Sequence, residues 1–90
     1  MAQAIVDPDE LRRFAGMLRD FNADLEARLS ALSGQMNTLA QTWRDQEQQK
    51  FAEEFAQHLR TAARFVEANE QHIPYLLRKA ERIEEYLQQR

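Results

Sequence analysis

Two apolar stripes separated by a short polar gap leave this chain few ways to fold. In the first stripe Leu11, Phe14, Leu18, Phe21, Leu25, Leu29, Leu32, Met36, Leu39 and Trp43 recur every three or four residues, the spacing that puts side chains on one side of an α-helix. Phe51, Phe55, Leu59, Ala62, Val66, Asn69, Ile73, Leu76, Ala80, Ile83 and Leu87 repeat the pattern downstream, with Asn69 as its only polar member. The first stripe advances at about 3.56 residues per step, between the coiled-coil and straight-helix values, and the second at about 3.6. Arg44 to Lys50 is polar throughout, too short for a domain linker and long enough for a helix-to-helix turn. The expected fold is all-α, an antiparallel two-helix hairpin. The gap contains no Gly or Pro, so one unbroken rod is the competing reading, and it would leave the stripes uncovered unless two chains paired.

Local signals set the boundaries of a single domain over residues 1–90. Asp7-Pro8-Asp9-Glu10 combines a capping carboxylate, a proline at the first helical position and acidic residues at the positive dipole end. The first helix is expected over about 8–42, the turn over about 43–46 and the second helix over about 46–88. Ser33-Gly34 weakens the first helix, by roughly 1 kcal/mol for Gly relative to Ala, but the leucine stripe continues through it. Asp45 suits the N-cap of the second helix, with Gln48 three residues on. Pro74 removes the amide that would bond to Glu70, which predicts a kink near 70–74. A break into a third helix would favour Ser, Thr or Asp before Pro74, and Ile73 stands there. The longer second helix overhangs the hairpin or folds over it, and its end, with Tyr86 and Arg90, is a candidate recognition tail.

Ninety residues bury little of their own surface, and a hairpin buries less, because each helix has only one partner. Leu11, Phe14, Leu18, Phe21, Leu25, Leu32, Leu39, Phe51, Phe55, Leu59, Val66, Ile73, Leu76 and Ile83 are therefore assigned jointly to core and interface. Pairing into a four-helix bundle is expected, as a homodimer or as a heterodimer with a related hairpin. The formal net charge is −3 with the signs interspersed, which argues against nucleic acid as a partner. No apolar run approaches the roughly 20 residues that span a bilayer, so no stable membrane insertion is expected. The first residues lack the basic and apolar regions of a secretory signal. Synthesis in the cytoplasm follows, with any export proceeding without a cleaved signal peptide.

No cofactor, metal or catalytic centre is expected. The chain has no cysteine, no Gly-rich phosphate loop and no nucleophile motif. The Glu-x-x-His pairs of dimetal bundles are absent, since Phe55 and Asn69 stand three residues before His58 and His72. Phe51, His58, Phe65, His72, Lys79 and Tyr86 form a ladder with seven-residue spacing. It reads either as a contact surface sensitive to acid or as exposed neighbours of the core. Asn69 either fixes the register of a bundle, as a seam amide does, or relieves strain upstream of Pro74. The remaining charges are solvated helix faces.

Two long helices in a chain of about a hundred residues, with Trp43-Arg44-Asp45 at the connection and Phe51 and Phe55 just beyond, resemble the WXG (Trp-x-Gly) family. Asp45 stands where that motif has glycine. The resemblance implies a helical hairpin linked to type VII secretion, acting as a secreted substrate, co-substrate or adaptor, with a secretion ATPase among its partners. Trp43 is either a recognition element, as in the proteins it resembles, or an indole that fills the end of the hairpin. Secreted relatives carry a C-terminal Tyr followed four residues later by Asp or Glu. Here Tyr75 is followed by Lys79 and Tyr86 by Arg90. The competing function is a cytoplasmic helical scaffold or regulatory subunit that binds a partner helix.

Overall fold

The first helix starts where a carboxylate can satisfy its free amides. Asp7 Oδ1 accepts the Asp9 amide at 3.0 Å, and the Asp7 carbonyl accepts those of Glu10 and Leu11. The computed structural model describes residues 6–89, with helix α1 over Pro8–Leu39 and helix α2 over Gln46–Gln88. Helix α1 stops short of the expected end near Thr42. The amides of Gln41 and Thr42 bond to Thr38 and Leu39, three residues back, at 3.1 Å each, and the Trp43 amide closes on the Leu39 carbonyl at 2.9 Å. Such tightening ends an α-helix without glycine. Asp45 then opens α2, its Oδ1 accepting the Gln48 amide at 3.0 Å. Residues 40–45 separate the helices, which rules out the single rod. Helix α2 is assigned without a break through Pro74, so no third helix forms.

The chain divides into two compact units. In the unit formed by residues 6–22 and 68–89, Ala15 and Ala80 are fully buried and Ile73 nearly so. Asn22 and Asn69 are also buried, and Asn69 Nδ2 donates to Asn22 Oδ1 at 2.9 Å. Further toward the start of α1, Arg12 donates to Glu84 through both terminal nitrogens, at 3.1 and 2.5 Å, and to Asp9 at 3.2 Å. A later residue of α1 thus meets an earlier residue of α2, the order of an antiparallel hairpin. In the unit over Ala23–Glu67, Val66 is buried, while Leu25, Leu29, Met36, Ala40, Trp43, Phe55, Leu59 and Ala62 are half-buried.

The core differs from the expected stripe in one respect. Phe14, Phe21, Leu32, Leu39 and Phe51, assigned jointly to core and interface, are 40–54% exposed and are not core. An apolar stripe this wide cannot be covered by one partner helix, and the first unit closes on Ala15 and Asn22, one position past Phe14 and Phe21. Small side chains there let the backbones approach, and the phenylalanines are left beside the seam. Leu11, Leu18, Leu76 and Ile83 are half-buried.

Replacing Asn69 by Leu removes a hydrogen bond from a buried carboxamide and is expected to cost about 1–3 kcal/mol, read as a lower urea midpoint by circular dichroism. The double variant Asn22→Leu with Asn69→Leu should recover most of that loss. A second expectation concerns acid. The hydrogen bond from Arg12 holds the Glu84 carboxyl below its ordinary value of 4.5, so its contribution is present above that pH and declines as pH falls through the depressed value. Urea midpoints of wild type and Glu84→Gln should therefore differ at pH 6 and converge toward pH 3.

Candidate functional site

Two features stand out from the hairpin: an aromatic group at the turn and rows of exposed apolar side chains. The turn group is built by the sequence around Asp45. Because α2 starts immediately after that residue, Phe51 and Phe55 fall one helical turn apart on its first turns, beneath Trp43. The Trp43 and Phe51 rings lie 5.8 Å apart with a 36° tilt, and Phe51 stacks on Phe55 at 5.5 Å and 17°, separations typical of attractive ring pairs. Trp43 is half-buried and Phe51 is 40% exposed, so the group is packed on one side and open on the other. Next to it a groove of about 210 Å³ is lined by Ser33, Met36, Ala40, Ala52, Phe55 and Leu59. Its wall carries no titratable side chain.

The exposed rows lie beside the seam. In the first unit Phe14, Met17 and Phe21 share one face of α1, at 54%, 68% and 50% exposure. In the second unit Leu32 and Leu39 on α1, with Phe51 and Phe65 on α2, are exposed as well. Asp45 serves as the α2 cap already described. The C-terminal segment does not simply overhang: Ala80 is buried and Glu84 is tied to Arg12, so the chain is packed at least that far. Tyr86 and Leu87 are exposed, whereas Arg90 lies outside the described residues. His58 and His72 are exposed too. Among the described residues no group of three or more His, Cys, Asp or Glu is placed to hold a metal ion. No helix there is long and apolar enough to cross a membrane.

Sequence reasoning missed Asn22 and the Arg12–Glu84 pair. Asn22 follows Ala15 by seven residues and pairs with a position already marked as polar within a stripe, which is the signal that points to it. Nothing local announces the ion pair, because its partners lie 72 residues apart.

A sequence profile described as "WXG100: Proteins of 100 residues with WXG" matches residues 3–89. The chain belongs to the WXG100 family. Among solved structures, the wild-type secreted protein EsxB from Bacillus anthracis str. Sterne is 28% identical, with a TM-score of 0.78 over 92% of this chain and 89% of that one. A selenomethionine-labelled crystal of EsxB gives 27% identity and a TM-score of 0.77 over 96% and 98%. A point variant of EsxB gives 26% and 0.78 over 92% and 89%. A search of curated protein sequences returned no match. These are hairpins of a family associated with type VII secretion, and the described WXG100 chain has the same two-helix, strand-free architecture.

Membership makes Asp45 informative. A glycine at this point of the motif ends one helix by tolerating a left-handed backbone, whereas Asp45 starts the next by accepting an amide, and no described residue here has positive φ. The ring contacts make a prediction for the turn. Trp43→Ala should lower the unfolding free energy by about 1 kcal/mol through loss of the aromatic pair, and Trp43→Phe should retain most of it, both read from urea titrations followed by circular dichroism.

Proposed function

We propose that this WXG100 chain is a substrate, co-substrate or adaptor of a type VII-like secretion system and that it works without catalysis, by association of helices. The observation that carries this reading is the apolar surface left open by the hairpin. Phe14, Met17, Phe21, Leu32, Leu39, Phe51 and Phe65 are all at least 40% exposed. Burying such surface yields roughly 25 cal/mol per Å², which is the driving force for docking a second hairpin, identical or related, into a four-helix bundle. Trp43 at the turn and Tyr86 toward the C-terminus supply recognition, with a secretion ATPase as their reader. EsxB, a relative of known structure, is described as secreted, and this supports an exported role.

Lys79 and Arg90 occupy the places where a carboxylate would follow Tyr75 and Tyr86 in an export signal.

Expression of the tagged full chain in a bacterium with and without its secretion ATPase tests the reading. Immunoblotting should find the protein in the culture medium only when the ATPase is present and should find less for Trp43→Ala at equal cellular abundance. Retention in the cytoplasm in both strains, together with any co-encoded sister hairpin, would overturn export and leave the intracellular scaffold.

A further inference from the structure

The part of α2 that belongs to the first unit carries the carboxylates Glu70, Glu81, Glu84 and Glu85 and the cations Arg78, Lys79 and Arg82. The two signs are segregated around the helix. At about 100° of turn per residue, Lys79, Arg82 and Tyr86 fall within about 40° of Tyr75, and His72 and Arg78 within about 60°. No carboxylate of this segment enters that arc. Glu85 and Glu81 lie beyond its Arg78 edge, Glu70 further round, and Glu84 on the inner side, where Arg12 donates to it. Buried Asn69, Ile73 and Ala80 mark the opposite side of the helix, so the arc faces outward. Tyr75 and Tyr86 are 49% and 66% exposed, His72, Arg78 and Arg82 are exposed, and Lys79 is half-buried.

This pattern is the reverse of one that stabilises a solvated helix. There, residues three and four apart carry opposite charges, and like charges at that spacing are unfavourable. Here Arg82 follows Lys79 by three residues and Arg78 by four, and Glu85 follows Glu81 by four. Among the described residues the ion pairs are Arg12 with Asp9 and Glu84, and Arg28 with Asp24, so no outer cation of this segment has a carboxylate partner. A row of repelling cations between two exposed tyrosines is suited to an external anion, since Tyr and Arg are the side chains that anchor protein interfaces.

We propose that this outward face of α2 docks an acidic helix of another protein, its carboxylates against Arg78, Lys79 and Arg82 and its apolar side chains against Tyr75 and Tyr86. The inference adds a second surface to the association reading, from which it shares only Tyr86. Two observations select a helix among anionic partners. His72, Tyr75, Lys79, Arg82 and Tyr86 advance by three, four, three and four residues, the alternation along which a second helix lies, over about 21 Å at 1.5 Å per residue. The cationic strip is also narrow and bordered by Glu81 and Glu85. A flat anionic bilayer would meet those carboxylates as well, whereas a single helix touches the strip alone.

Fluorescence anisotropy of the purified full chain with a labelled probe tests the proposal. The probe is an alanine-based peptide of about 28 residues, long enough to be helical in water, with Glu and Leu at alternating spacings of three and four along one face. Wild type is expected to bind it, more weakly as salt is raised. The triple variant Arg78→Glu, Lys79→Glu, Arg82→Glu should weaken binding at least about tenfold, as three attractive contacts turn repulsive. Tyr75→Ser with Tyr86→Ser should weaken it while leaving the salt dependence in place. Circular dichroism checks that the helices persist, and Gln replaces Glu at the three positions if the reversal does not fold. Sedimentation equilibrium should give the same association state for wild type and triple variant, which separates loss of this face from loss of hairpin pairing. Equal binding of a peptide with the same residues scattered around its helix would overturn the proposal, as would binding unmoved by the triple variant. Binding to phosphatidylglycerol vesicles or to a DNA duplex with none to the peptide would overturn the acidic helix as occupant.

Discussion

The hydrogen bond between Asn22 and Asn69 is the constraint around which the hairpin is organised. Apolar contacts alone are permissive: a helix with leucine at every turn packs nearly as well after sliding by one turn along its neighbour. A buried carboxamide is not permissive, because a slip would leave two desolvated amides without this bond. The pair therefore converts a generic attraction into one alignment. Ala15 and Ala80, which are fully buried, let the helices come close enough in the same unit for the two short side chains to meet.

Close packing on small residues has a second effect. Because the seam is centred on Ala15 and Asn22, the larger side chains of α1 are turned aside, and a broad apolar stripe is divided between an inward edge and an outward edge. The outward edge is the apolar surface on which the proposed association rests. This division leaves Phe14 and Phe21 exposed beside the seam.

Much of the fold was legible in the residues because it rests on periodicity and capping, which are local. The start at Pro8, the Asp45 cap and the two-helix architecture all follow from neighbours within four residues. The end of α1 is not legible in the stripe, which continues to Trp43 while the backbone tightens after Leu39. The core was harder to read. Period alone locates a stripe but not which edge of it faces inward, and that choice is made by the sizes of Ala15 and Ala80 on opposite helices. The partner of Asn69 lay out of reach for the same reason: Asn22 is 47 residues away in sequence, and only the packed hairpin brings them together.

Burial is unevenly shared between the two units. Ala15, Asn22, Asn69, Ile73 and Ala80 are in the unit that holds the Arg12–Glu84 pair, whereas Val66 is the buried side chain identified in the unit that carries Trp43. Local opening free energy follows such contacts, so the tryptophan end is the weaker half of an isolated chain. A partner docked there would also complete its packing, and by thermodynamic linkage occupancy and ordering of that end would become a single equilibrium.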